Sequence, residues 1–568
     1  MVKHTLNSNK KRNITTLILA ITILVLLNFV GSFIFHRFDL TSEKRYTLSN
    51  ATKKLLNNLN DIVYVKVYMG KDEAFPAGFK HLRNETQEML DEFKTYSDDN
   101  IEYEFINPNE STDKKKQEEL FKQLYEKGLQ PTNLEVKNKN SSSQQVIWPV
   151  ALVTFNGKEM PWQLLKTQLG QSSEMQLNNS IQALEYEFAS CIHNLSSHLR
   201  PQVAFIEGHG ELDTLSLNDI ASSLSEFYSV KRLTIQGQAN VLQGLKAVII
   251  AKPDTAFSEK DKYIIDQFVM NGGKVLWLID PVNTSVDSLR KSGGTIATPI
   301  DINIENQLFK YGVRINPNLI VDMQSSAIPV NTAFAGQEPR FELKPWWFSP
   351  LIMPIGNHPI IKNLEVIKLD FVSSIDTVSA KGIKKTILLQ TSKYSKTLKA
   401  PVPIDLRMAT MRPDENIFTD SYQPVAILLE GKFESVFKNR ILPQFIQPNS
   451  LPYKEKSLNT QMIVISDGDI IRNEIQYSTK KPYPLGYDKY TNQTYGNKNF
   501  ILNCINYLCD DSGLISVRAR ELTLRLLDKK KVLNERLKWQ LINVLMPFIV
   551  ILVFAISYRF VRIRKYTK

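Results

Sequence analysis

Apolar and polar positions change period several times along this chain, and the two ends stand out first. Ile14 to Phe35 is a run of 22 residues without a charge. At 1.5 Å per residue that length crosses a hydrocarbon core of about 30 Å. The run closes on Phe33-Ile34-Phe35-His36-Arg37, which offers no small-x-small cleavage site, so it reads as a retained anchor rather than a secretory signal. Leu541 to Tyr558 is a second uncharged run, of 18 residues, interrupted only by Asn543 and Pro547. Being apolar all round, it reads as a span rather than an amphipathic surface helix.

Between the runs the period alternates between two and 3.6. Residues 61–69 (DIVYVKVYM) predict a strand through Ile62, Tyr64 and Val67. A helix follows over 78–96, with Phe79, Leu82, Met89, Leu90, Phe93 and Tyr96 near helical spacing, then a strand over 101–106. This is a β-α-β unit. Residues 109–146 are polar and read as a helix followed by an exposed loop at 138–145 (NKNSSSQQ). Met175, Leu177, Ile181, Leu184 and Phe188 make the stripe of a connecting helix over 172–196.

From Arg200 onward the signal sharpens. Val203 to Ile206 is a short buried strand, and strands follow at 230–235, 246–251 and 274–279. Ser216 with Asp219, and Ser258 with Asp261, predict capping boxes that open the intervening helices. Asn271-Gly272-Gly273 stops the second helix. Strand–helix alternation with short turns predicts a doubly wound, mostly parallel sheet covered on both faces. Further strands are expected at 366–373, 385–390, 423–430 and 462–466, a helix at 499–510, and a long basic helix at 515–540 leading into the second apolar run.

The resulting organisation has seven parts. A basic tail (1–13) and a transmembrane helix (14–35) precede an N-terminal α/β domain with its connecting helix (36–199). A central α/β domain (200–510) and a basic helix (511–540) lead to a transmembrane helix (541–558) and a second basic tail (559–568).

Net charge changes the picture once it is located. The formal charge is +12. Lys3, Lys10, Lys11 and Arg12 give +4, residues 559–568 give +5, and residues 528–538 give +3. These pieces account for the whole excess, so the middle of the chain is neutral. The charge flanks the apolar runs, where it serves topology and anionic lipid, and a nucleic-acid groove is not indicated. The basic N-terminal flank predicts cytoplasmic termini and an exported body. Cys191, Cys504 and Cys509 are no disulfide framework and read as small buried hydrophobes.

Several chemistries are absent. There is no GxxxxGK[ST] phosphate loop, no GxSxG elbow, no HExxH and no paired CxxC. His193 and His198 lie five apart, off a common helical face, so no metal or other cofactor is implied.

The best candidate site is the loop Glu207-Gly208-His209-Gly210-Glu211-Leu212-Asp213. It follows a predicted parallel strand, where open α/β sheets bind ligands. Asp280 ends another strand of that sheet and is placed toward the same crevice. Glu207, His209, Glu211 and Asp280 are therefore candidate ligand-binding residues for a polar or glycan ligand. The structural alternative is a tight turn whose charges cap the next helix. Ser466-Asp467-Gly468-Asp469 resembles part of a calcium loop but lacks the distal Glu, so it reads as a turn. Trp346-Trp347-Phe348 reads as core or as a docked loop, with an exposed contact patch as the alternative.

A family likeness runs through the same residues. Tyr46-Thr47-Leu48-Ser49, Ala183-Leu184-Glu185-Tyr186, Ile206 to Leu212, Leu278-Ile279-Asp280-Pro281, Ser373-Ser374-Ile375-Asp376, Leu429 to Ser435 and Gly496 to Phe500 carry it, in order, with a span at each end. The chain resembles the GldG family, gliding-associated auxiliary components of bacterial ABC transporters, once called substrate-binding. That resemblance implies an inner-membrane protein with its bulk in the periplasm. It also implies a separate permease and a separate cytoplasmic ATPase as partners. The central domain looks like one shared with an intraflagellar-transport protein and related to glutamine-amidotransferase-like folds. No cysteine stands at a strand-to-helix elbow, so that relationship carries no activity, and the family supplies no catalytic residues. The expectation is a non-enzymatic transporter component. The alternative is a periplasmic glycan-binding or glycan-processing protein using Glu207, His209, Glu211 and Asp280.

Overall fold

The computed structural model describes residues 14–26, 28–29 and 47–566, apart from 71–74, 111–112, 139–140, 167–171, 198–199, 285–288, 290–292, 334–336, 412–413, 441–452, 477 and 520–528. The basic tail before Ile14 and the end of the first apolar run lie outside the described residues, as does His198. Two compact units are present, Met1–Glu521 and Leu522–Lys568.

The first part of the larger unit begins with α1 (Asn50–Leu56), capped by the Ser49 hydroxyl. Strand β1 (Val63–Val67), helix α2 (Ala77–Tyr96) and strand β2 (Ile101–Phe105) form the expected β-α-β unit, with β1 and β2 parallel. After α3 (Lys114–Glu126), β3 (Thr132–Asn138) and β4 (Ser141–Ile147) form a hairpin. The exposed loop expected at 138–145 is thus corrected: its polar residues pair through the backbone, which leaves no apolar alternation to read. Strands β5 (Val150–Phe155) and β6 (Lys158–Gln163) complete a sheet ordered β2-β1-β5-β6. Helix α4 (Ser173–Ser196) packs on it, with Phe188 between Phe93 (4.8 Å) and Trp162 (5.1 Å). Met175, counted in its stripe, is exposed.

The large sheet follows. Its parallel strands are β7 (Gln202–Glu207), β8 (Ser229–Thr234), β9 (Ala247–Ala251) and β10 (Lys274–Leu278); α5 (Asn218–Ser225) and α6 (Glu259–Met270) connect them. A β-rich insertion includes the antiparallel pair β11 (Ser325–Asn331) and β12 (Phe341–Ile352). Strands β13 (Ile383–Gln390), β14 (Pro424–Gly431) and β15 (Thr460–Ile465) return to the sheet, giving the order β13-β14-β15-β10-β9-β7-β8. Strand β15 is parallel to β10, whereas β14 and β13 make an antiparallel edge.

Alternation along each strand splits the core in two. Phe205, Ile249, Leu276, Leu278, Ile463 and Ile465 face α5 and α7 (Asn497–Cys509). Ile206, Val248, Ile250, Trp277, Met462 and Val464 face α6. Both faces are covered, which is why these strands read as continuous apolar runs. Gly431 closes β14 at φ +144°, and a Cβ there would lie 2.2 Å from the Gly382 carbonyl oxygen. Only glycine allows β14 to end so close to the backbone that leads into β13.

Three further expectations are corrected. Ser216 does not cap α5; its N–H donates to Asp213, and Asp219 instead accepts from Leu485 N–H and pairs with Lys498. Tertiary partners outcompete the local box. At Ser258 the cap does form, with Asp261 N–H donating to the hydroxyl. The strand expected at 366–373 shortens to Ile367–Lys368, because the backbone turns at Phe371, φ +54°. No continuous helix runs over 515–540: Leu514–Ala519 is a 3-10 turn and α8 (Lys529–Tyr566) begins later. Asp510 accepts N–H bonds from Ser512, Gly513 and Ile515, which tightens that turn.

Within α8, Asn534–Arg564 is long and apolar enough to cross a bilayer, and it is the one such helix among the described residues. Within the first apolar run, Ile14–Leu26 is an apolar helix among the described residues. All three cysteines are free and buried. Trp346 and Phe348 are core, and Trp347 packs edge-on against Phe418.

Candidate functional site

The carboxyl ends of β7, β9, β10 and β15 lie side by side, and each is followed by charged residues: Glu207 to Glu211, Lys252, Asp280 and Asp467 to Asp469. Strand β7 has β8 on one side and β9 on the other, so the chain winds in opposite senses from this point. Such a switch opens a crevice beyond the strand ends.

His209 lies in that loop and is buried. Its ring stacks on Phe257 at 3.8 Å. Nδ1 lies 3.2 Å from Glu211 Oε1, and Nε2 lies 3.3 Å from Asp261 Oδ2. The His209 carbonyl accepts from both Asp254 and Thr255 N–H at 3.0 Å. Burial opposes charge on the ring, but the Asp261 and Glu211 carboxylates outweigh it and push His209 up to about 9. The imidazolium then donates from both nitrogens. Asp261 is correspondingly held below its usual range: burial opposes this, but His209, Gly237 N–H and the Ser258 hydroxyl prevail. His209 thus pins the β7 loop to the N-terminus of α6. Gly210, at φ +76°, brings the backbone against Asp254, whose carboxyl oxygen would lie 1.6 Å from an added Cβ.

A second network occupies the ends of β9, β10 and β15. Lys252, at φ +56°, directs its ammonium to Asp280 (3.0 Å) and to Asp469. Gly468 N–H donates to Asp280. Asp467 is fully buried and accepts N–H bonds from Asp469 (2.8 Å), Ile470 (3.1 Å) and Asp370 (2.9 Å). Burial, with the neighbouring Asp280 and Asp469 charges, holds its carboxyl well above the usual range. Lys368 continues the network to Asp488 (2.9 Å) and Asp370 (3.7 Å).

The four sequence-predicted residues therefore divide among three networks. His209 and Glu211 come together with Asp261. Glu207 leaves them to pair with Arg232, and Asp280 belongs to Lys252. Sequence reasoning missed Lys252, Asp370, Asp467 and Lys368 as members of the same strand-end surface. For Lys252 and Asp467 the signal, a charged residue one or two places after an apolar strand, was legible as it was for Asp280, and at Asp467 it was read as a turn; Lys368 and Asp370 sit at the end of a two-residue strand and give no such signal.

One family model decides the affiliation. It is described as an ABC-type uncharacterized transport system, auxiliary domain, and it matches residues 200–504, more than half of the chain. The chain belongs to this family. The ABC-transport auxiliary domain spans the large sheet and both networks. Membership makes the protein an auxiliary component of an ABC transport system and implies association with permease and ATPase components. With the C-terminal apolar helix, it fits a membrane-anchored protein.

A second family model, a domain of unknown function (DUF7088), matches residues 42–154. An uncharacterized protein of Borreliella burgdorferi is 20% identical over 569 residues, covering 98% of this chain and 99% of that relative. Among solved structures, an mmIFT52 N-terminal domain is similar at 13% identity, over 54% of this chain and 96% of that one, with a TM-score of 0.31.

Proposed function

We propose that this family member is a non-catalytic subunit of the gliding-associated, GldG type. In this reading residues 14–35 and 541–558 both span the inner membrane, both termini are cytoplasmic, and the body between them lies in the periplasm against a permease that a separate ATPase drives. The central sheet, related in this reading to glutamine-amidotransferase-like folds, serves as a docking or ligand-sensing module rather than a reaction centre. The observation that carries the proposal is the closure of His209 onto Glu211 and Asp261. A general acid or base must reach a substrate proton, directly or through one water. Both ring nitrogens of His209 are committed to holding the loop. The family match over the same loop supports the transporter setting.

The test is gentle detergent extraction of the intact complex, followed by mass spectrometry. A multispan permease and an ATPase should copurify in fixed ratio, and a strain lacking the chain should lose gliding. Recovery of the folded chain alone, with motility intact in the deletion strain, would overturn the proposal.

A further inference from the structure

The chain's approach to both terminal helices gathers at one place on the larger unit. Ser49 N–H and the Thr52 hydroxyl donate to Glu185 at 2.7 and 2.8 Å. Beside them Ala51, Ile515, Val517 and Tyr507 pack around Tyr186. Arg518 lies over the Tyr186 ring at 5.5 Å and donates to Asn503 and to the Lys362 carbonyl. This root sits at the amino end of the parallel strands: Tyr507 donates to Glu430, next to the Gly431–Thr460 pair where β15 begins, and Lys246, just before β9, pairs with Asp511. The His209 and Asp467 networks are at the opposite end.

A short apolar loop projects beside this root. It runs from Met353 to Asn357 and joins β12 to His358, whose ring lies 5.0 Å from Tyr507. Ile355 is 81% exposed and Met353 63%; Ile355 is the most exposed large apolar side chain among the described residues. Pro354 and Gly356 flank it. Lys384, 73% exposed, pairs with Glu430 nearby. An isolated apolar tip with a lysine beside it suits a bilayer surface, where the apolar part enters the acyl boundary and the ammonium meets headgroups. A protein partner would need an apolar core within roughly 800 Å² of matching surface, more than two side chains supply. Thirteen residues separate Phe35 from Ser49 and 23 separate Val517 from Leu541. At about 3.5 Å per residue at most, the shorter tether reaches no more than about 50 Å, and both tethers join the body at this root.

We infer that Met353-Pro354-Ile355 is a lipid contact, a third point of attachment that sets the tilt of the body over the bilayer. This rests on the membrane-anchored reading above. The experiment uses the full chain with Ile355→Cys carrying an environment-sensitive fluorophore, and Thr214→Cys at the opposite end of the sheet as the control. The native cysteines compete weakly, because burial pushes all three thiols up. The protein is reconstituted, without partners, into phosphatidylcholine vesicles with and without phosphatidylglycerol. The dye at 355 is expected to shift blue and to be quenched several-fold more by acyl-chain spin labels than the dye at 214. Chain that floats with the vesicles while the dye at 355 stays water-like overturns this inference alone. A blue shift seen only after a permease is added also overturns it, making the tip a protein contact. Failure to float overturns the anchoring reading, and this inference with it.

Discussion

His209 and Asp261 are 52 residues apart in sequence and 3.3 Å apart in space. That contact ties the end of the first central strand to the start of α6. It is charge-assisted, because His209 is raised to about 9 while Asp261 is lowered. A raised histidine stabilises the fold fully below its unfolded value of 6.5, and the contribution is lost as pH rises through about 9. The Asp261 contribution is present above about 4 and is lost as pH falls through its lowered folded value. His209→Ala should cost about 3 kcal/mol near neutrality by leaving two buried carboxylates unpaired. It should also flatten the decline in stability between about pH 6.5 and pH 9. Thermal unfolding in detergent across that range checks both. Parallel pH profiles for the two proteins would contradict the assignment.

The same variant separates the two functional readings. Loss of a general acid-base group typically costs a factor of about 10² to 10⁴ in rate. Loss of a loop pin should give a graded motility defect that tracks the amount of folded protein. Complete loss of function in folded, inserted His209→Ala protein would favour a glycan-processing enzyme.

Lys252 is expected to be a structural cation. Lys252→Met leaves Asp280 and Asp469 facing each other and should cost about 3 to 5 kcal/mol. Adding Asp280→Asn should restore part of that loss, since the two effects are coupled. Denaturant unfolding of the single and double variants measures the coupling, and simple additivity would refute it.

Freed of partners, the chain should not hydrolyse ATP. It has no GxxxxGK[ST] loop to hold the phosphates. Phosphate release that follows this chain alone through successive columns would contradict the expectation.

The orientation can be read with single cysteines at Ser142 and Lys568. A membrane-impermeant thiol reagent should label position 142 and spare position 568 when only the periplasmic face of the inner membrane is exposed. The reverse pattern would invert the topology.

Much of this protein was determined by local sequence. The parallel strands of the central sheet were legible because both faces are buried, so Val203 to Ile206 and Ala247 to Ala251 are apolar throughout. The Ser258 cap, the glycine stop after α6 and the C-terminal apolar helix were legible because each rests on neighbours within a turn or on uninterrupted hydropathy. The tertiary structure decided the rest. It chose Asp213 and Asn473 over a local box at the start of α5, and it paired the polar stretch Ser141 to Gln145 through the backbone with Leu134 to Asn138. It also divided Glu207, His209, Glu211 and Asp280 among partners at Arg232, Asp261 and Lys252. Sequence spacing places a charge at a strand end. Which opposite charge satisfies it depends on strand order, and strand order is fixed by long-range packing that no local pattern encodes.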